Sequence, residues 1–106
     1  MAMRVWHRRH SLFGLVPQAM DPALFTCVAE LATVDPEQAF RWSQHADHAW
    51  QTQQNRVIQS FAAHPRSTSV GDILQQCLTG TCLLVCAEGF TELPGWVFPD
   101  PTSSSW

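Results

Sequence analysis

Four groups of residues in this chain have types and spacings that could do chemistry. His45-Ala46-Asp47-His48 sets two imidazoles three residues apart with a carboxylate between them. On a continuing helix that step brings both rings to one face, as a metal site or a general base would need. No His-Glu-x-x-His pattern and no third ligand accompany them. Cationic His in the last turn of a helix explains the pair as well. Cys77, Cys82 and Cys86 are the second group. Structural zinc sites use Cys-x2-Cys knuckles, because a tight turn must aim two thiolates at one ion. On a strand, Cys82 and Cys86 stand roughly 13 Å apart. Reduced, buried thiols are the expected reading, with no metal and no cofactor.

Arg66-Ser67-Thr68-Ser69 followed by Gly71 has the parts of a phosphate cradle. A P-loop would need Gly-x4-Gly-Lys-Ser/Thr, and the chain has no Lys. Ser and Thr also close local turns, and Asp72 can cap the same turn through its carboxylate. A lead-in to a strand is therefore expected. The fourth group is Arg4, Trp6, Arg8 and Arg9. It combines cations with a stacking surface, as single-strand nucleic-acid binders do. Arg4, Trp6 and Arg8 would share one face of a strand. The plainer alternative is an edge strand blunted by arginine.

The elements that must position these groups can be read from patterning. The 106 residues suffice for one domain, and 45% hydrophobic against 14% charged residues argues for a packed core. Residues 1–101 are expected to form that domain and 102–106 a loose tail. Met3 to Arg8 suits an edge strand. Leu12 to Pro22 reads as a loop. Leu24 to Leu31 alternates, with Phe25, Cys27, Ala29 and Leu31 on one parity. A strand is expected there, with a helix from Asp21 as the rival. Asp35-Pro36-Glu37-Gln38 is a helix start: Asp35 as N-cap, Pro36 in the first turn, Gln38 at capping-box spacing. That helix is expected to run to about His45. Asp47 to Ser60 is polar and reads as a long connection. Asp72 to Gln75 and Thr81 to Ala87 read as a hairpin about Thr79-Gly80, the second strand central, with Gly89-Phe90 ending it.

The expected fold is thus α+β: an antiparallel sheet of about four strands with one main helix packed on one face. The formal net charge is −3, and no cation follows Arg66. The N-terminal end is basic and the last third acidic. No stretch reaches the about 18 apolar residues of a membrane span, and the N-terminus has no signal-peptide pattern. A cytoplasmic location with no membrane partner is expected.

One resemblance bears on function. Phe25-Thr26-Cys27-Val28-Ala29-Glu30-Leu31, then Asp35-Pro36-Glu37-Gln38-Ala39-Phe40, Gln44-His45, Trp50, Arg66-Ser67-Thr68-Ser69-Val70-Gly71-Asp72 and Gly89-Phe90 follow in order. This resembles small bacterial proteins of plasmids, phages and other mobile elements, including the YodL-like type. It spans about Phe25 to Leu93, and Gln44 stands where that pattern more often has Asn. The resemblance implies an accessory gene of the mobile pool and no known activity, so it assigns no functional residue. The function expected is a non-enzymatic module that binds another protein or self-associates. Candidate binding residues are Arg4, Trp6, Arg8, Arg9, Trp50 and Arg66, with exposed Trp50, Trp96 or Trp106 as surface anchors. The alternatives are nucleic-acid binding through the arginine-rich N-terminal strand and a hydrolase using His45, Asp47 and His48.

Overall fold

The computed structural model describes residues 2–8, 22–44, 50, 55–63 and 65–98. It corrects the four-strand expectation. Six strands form one antiparallel sheet in the order β3-β2-β1-β4-β5-β6. They are β1 (Met3–Arg8), β2 (Phe25–Leu31), β3 (Val57–Ser60), β4 (Ile73–Gln76), β5 (Cys82–Cys86) and β6 (Gly89–Glu92). Among the described residues, α1 (Pro36–Trp42) is the one α-helix, and it is only seven residues long. The architecture is β-rich, not a sheet built around a main helix.

Each correction has a local cause. β1 lies in the middle of the sheet, paired with β2 and β4, so its arginines do not guard an edge. β3 falls inside the expected connection. It is four residues long, three of them exposed, so burial imposes no alternation on its sequence. β6 begins at a glycine that looks like a terminator. Gly89 instead sits at φ +139, where the two-residue turn Ala87-Glu88 hands the chain back beside β5.

The helix begins as expected and stops early. Asp35 Oδ1 accepts the Glu37 N–H at 3.1 Å, and Pro36 occupies the first turn. Gln38 does not reach Asp35 directly. The Thr33 hydroxyl lies between them, accepting the Asp35 N–H and donating to Gln38 Oε1. At the other end the Ser43 hydroxyl donates to the carbonyls of Ala39 and Phe40, and the Gln44 amide donates to Phe40 O. These side chains take the acceptors that another helical turn would have used.

β2 is a strand, preceded by a single 3-10 turn at Pro22–Leu24. Its single-parity face does not hold. Val5 pairs with Ala29 while Trp6 pairs with Cys27, so Val28 is an extra residue at a bulge. Phe25 and Cys27 therefore face one side, and Val28, Ala29 and Leu31 the other. On the helix side, Met3, Val5, Leu31 and Leu74 are wholly buried around Ala39 and Trp50. On the opposite side, Trp6, Phe25, Cys27, Ile73 and Cys82 lie under Trp96 and Phe98. The Trp6 and Phe98 rings stack at 3.8 Å. Burying each large apolar side chain contributes roughly 1.5–3 kcal/mol. The expected loop from Leu12 and the expected tail at 102–106 lie outside the described residues, apart from Pro22. No described helix is long and apolar enough to cross a membrane.

Candidate functional site

The Arg66-to-Asp72 stretch is the entry to β4, as its turn chemistry suggests, and it forms a polar junction against β1. Asp72 is buried at 1% exposure. Its Oδ1 accepts from Arg66 Nη2 at 2.7 Å and from the Arg8 N–H at 3.0 Å. Its Oδ2 accepts from Arg66 Nη1 at 2.6 Å and from the Ser69 N–H at 2.8 Å. Arg66 Nη2 also donates to Arg8 O, and Nη1 to Ser67 O. The two-pronged pairing uses the planar guanidinium as only arginine can. It raises the Arg66 pKa, through the hydrogen bond to Asp72 first, so the side chain stays cationic.

Two further elements lock this loop. Thr68 N–H donates to Ser43 O, and Gln44 Nε2 donates to Thr68 O at 2.8 Å, tying the loop to the end of α1. Trp50 Nε1 donates to Arg66 O at 3.0 Å. Trp50 is 1% exposed, so it is a core ring and not a surface anchor. Gly71 is at φ +97, and a Cβ there would meet the Arg8 side chain at 3.8 Å.

His7 sits beneath the loop, with Nε2 at 2.8 Å from Thr68 Oγ1 and 3.9 Å from Asp72 Oδ2. Burial pushes its pKa down to about 4, partly offset by Asp72 and reinforced by Arg66. The ring is therefore neutral near pH 7. Thr68, His7 and Asp72 have the residue types of a hydroxyl-imidazole-carboxylate relay but not its order. Asp72 approaches the same nitrogen that meets Thr68, whereas a relay needs the carboxylate on the other one. Thr68 is also 2% exposed, out of reach of a substrate. The junction fixes a loop. Thr68 is engaged inside the fold, while Arg66 stays half-exposed with its guanidinium turned onto Asp72.

Arg4 and Arg8, the described arginines of β1, also make contacts within the fold. Arg4 Nε pairs with Glu30 Oε1 at 3.2 Å, and the Cys77 thiol approaches the same oxygen at 3.7 Å. Trp6 is 4% exposed, stacked on Phe98, with its Nε1 donating to Gln75 Oε1 at 3.0 Å. Arg8 lies over the Phe25 ring at 5.6 Å. Arg4, Trp6 and Arg8 alternate along β1, and the Trp6 part of that face is covered by Trp96 and Phe98. Trp96 is half-buried against Phe25 and Phe98. Arg9, His45, Asp47, His48 and Trp106 lie outside the described residues. The four cysteines are free thiols. Burial raises Cys27 to about 12 and Cys82 to about 11, so neither is a thiolate near pH 7. No group of three or more metal-ligating side chains occurs among the described residues.

Among the described residues, the open edge of the sheet lies at its far end, at β6. Leu83, Leu84 and Phe90 are only partly buried, although they pack on the two cores. Phe90 meets Phe40 edge to face at 6.5 Å. Among the described residues, β6 is an edge strand. Leu93 N–H donates to Cys82 O, so the antiparallel alternation makes Thr91 and Gly89 the residues bonded to β5. Phe90 and Glu92 then turn their N–H and C=O groups outward. The alternation Gly89-Phe90-Thr91-Glu92, behind a turn, was the available signal for this edge.

No family model, no curated protein and no solved structure matches this chain.

Proposed function

We propose that this chain is a small, non-catalytic accessory protein of the bacterial mobile gene pool, working in the cytoplasm by binding another protein. The resemblance in sequence supports the gene pool. The binding role rests on one observation, the mismatch between helix and sheet. Six strands span about 24 Å across the sheet. A seven-residue helix is about 10 Å long and about 10 Å wide. Among the described residues, α1 reaches the β6 side only through Phe40 against Phe90, and Leu83 and Phe90 on that face stay partly exposed, as does Leu84 on the opposite face. Half-covered apolar strands beside an open edge are what a protein partner completes.

The test is capture by the tagged full chain from a bacterial lysate, with and without nuclease, read by mass spectrometry. The expected result is a stoichiometric protein that survives nuclease. Capture that vanishes with nuclease would replace this reading with nucleic-acid binding. It would also predict steep loss of affinity with salt and with replacement of Arg4, Arg8 and Arg9.

A further inference from the structure

Resting on that reading, we infer that the open edge of β6 accepts an extended, basic segment of the partner as a seventh strand. The backbone supplies the first argument. Phe90 and Glu92 present outward N–H and C=O groups in regular register, because β5 and β6 pair without interruption from Leu83–Glu92 to Cys86–Gly89. Neither residue has another partner among the described residues. A strand laid alongside would satisfy both, which is how strand addition gains affinity.

The second argument is charge. Glu88 and Glu92 stand exposed at the two ends of this edge. From Ser67 to Trp106 the chain has no Lys or Arg, so no sequence-near cation neutralises them. The other acidic side chain described in this stretch, Asp72, is already held by Arg66. Pairing with a second copy would bring four carboxylates to one seam. A segment carrying Lys or Arg would instead place opposite charges beside them, and cross-strand pairs of opposite sign are favourable. The other edge lacks both properties. β3 pairs with β2 in a register broken at Glu30/Leu31, leaving Ile58 unpaired, and none of its four residues is charged. A bulged edge twists away from an incoming strand.

The experiment titrates the isotopically labelled full chain with three short synthetic peptides and follows backbone amides by NMR. One peptide alternates Lys with Val and Thr. The second replaces each Lys with Glu. The third is the basic peptide with alternate backbone nitrogens methylated. The basic peptide is expected to shift the Phe90 and Glu92 amides and slow their hydrogen exchange. The acidic peptide should bind at least about tenfold more weakly, and the methylated one should fail. Glu92→Pro removes an outward donor without touching the β5 ladder and should abolish the effect while the chain stays folded. Glu88→Gln with Glu92→Gln should weaken binding and flatten its salt dependence.

No shift at β6, shifts centred on β3, or equal binding of basic and acidic peptides would overturn the inference. So would peptide-free, concentration-dependent shifts at Phe90 and Glu92, which identify a second copy as the occupant. The two readings fail separately. If Glu92→Pro still captures a nuclease-resistant protein from lysate, strand addition falls and protein binding stands. If neither chain captures a protein and the basic peptide does not bind, both fall.

Discussion

The two ends of the β4–β5–β6 meander are built on opposite principles. At the β4 end, every hydrogen-bonding group of the Asp72 carboxylate is engaged, by one guanidinium and two backbone N–H groups. At the β6 end, backbone groups of Phe90 and Glu92 point outward with no partner among the described residues, and the carboxylates of Glu88 and Glu92 are exposed. The same chemistry, carboxylate and peptide, is consumed at one end and offered at the other. A polar residue is therefore a poor guide to function until its partners are known. Arg66, Thr68 and Asp72 look like a binding loop and hold the fold, while Phe90-Thr91-Glu92 looks unremarkable and stays open.

The sharpest way to break this comparison is to empty the closed end. Asp72→Ala leaves the Arg8 and Ser69 N–H groups and the Arg66 guanidinium without their acceptor. Arg66 is half-exposed and can turn to water, so the cost comes from the two orphaned N–H groups, about 1–3 kcal/mol each. Chemical denaturation should show that loss, and Asp72→Asn should recover part of it. A variant as stable as the parent would mean that the junction is ornamental.

The next largest effect is on pH. Folding lowers the His7 pKa from 6.5 to about 4, chiefly through burial. Between those values the unfolded chain binds the proton and the folded chain does not. Stability from this group is therefore complete above pH 6.5, falls as the pH drops through the window and is gone below about 4. The shift corresponds to about 3 kcal/mol. Urea unfolding at intervals across that range should follow this slope, and His7→Gln should remove this contribution to it. An unchanged slope in the variant would assign the acid sensitivity elsewhere.

A smaller effect comes from Gly71, the pivot between the loop and β4. At φ +97 an L side chain is strained whatever the space around it, and the nearest atoms belong to Arg8. Gly71→Ala should cost about 1–2 kcal/mol. Its amide donates to Val85 O, so the damage should also show as faster exchange of that amide.

Much of the closed end was legible in the sequence, and the open end was not. Asp35-Pro36 states a helix start in local chemistry, and the structure has Asp35 as the cap and Pro36 in the first turn, with Thr33 taking the place expected of a direct Gln38 contact. Ser67 to Gly71 carries turn residues, so strand entry could be read from hydroxyls and a glycine. The helix end was misplaced because Ser43 and Gln44 act through side-chain bonds to carbonyls, which no periodicity encodes. The position of β1 was misjudged because Arg4 and Arg8 mark an edge only when they are unpaired. Here Arg4 meets Glu30 and Arg8 lies over Phe25, contacts that depend on register with β2. β3 and β6 were missed as strands for one reason. Each is four residues long and half-exposed, so pairing shapes them and burial scarcely constrains their sequence.

The smallest effect is the most informative about the open end. In β6 the alternation of paired and free backbone groups predicts two kinds of amide three atoms apart along the chain. Thr91 N–H is committed to β5, while those of Phe90 and Glu92 meet solvent. Hydrogen exchange in the free protein should therefore be slow at Thr91 and fast at its two neighbours. Glu92→Pro should shift stability by less than about 1 kcal/mol, since proline is tolerated on an edge strand where no ladder bond is lost. Slow exchange at Phe90 and Glu92 would show that the edge is already occupied, by another part of the chain or by a second copy. The contrast between a closed end and an open one would then dissolve. Fast exchange with a neutral Glu92→Pro would leave β6 as a strand whose outward groups do nothing for the fold, and whose place in the molecule must be explained by what binds there.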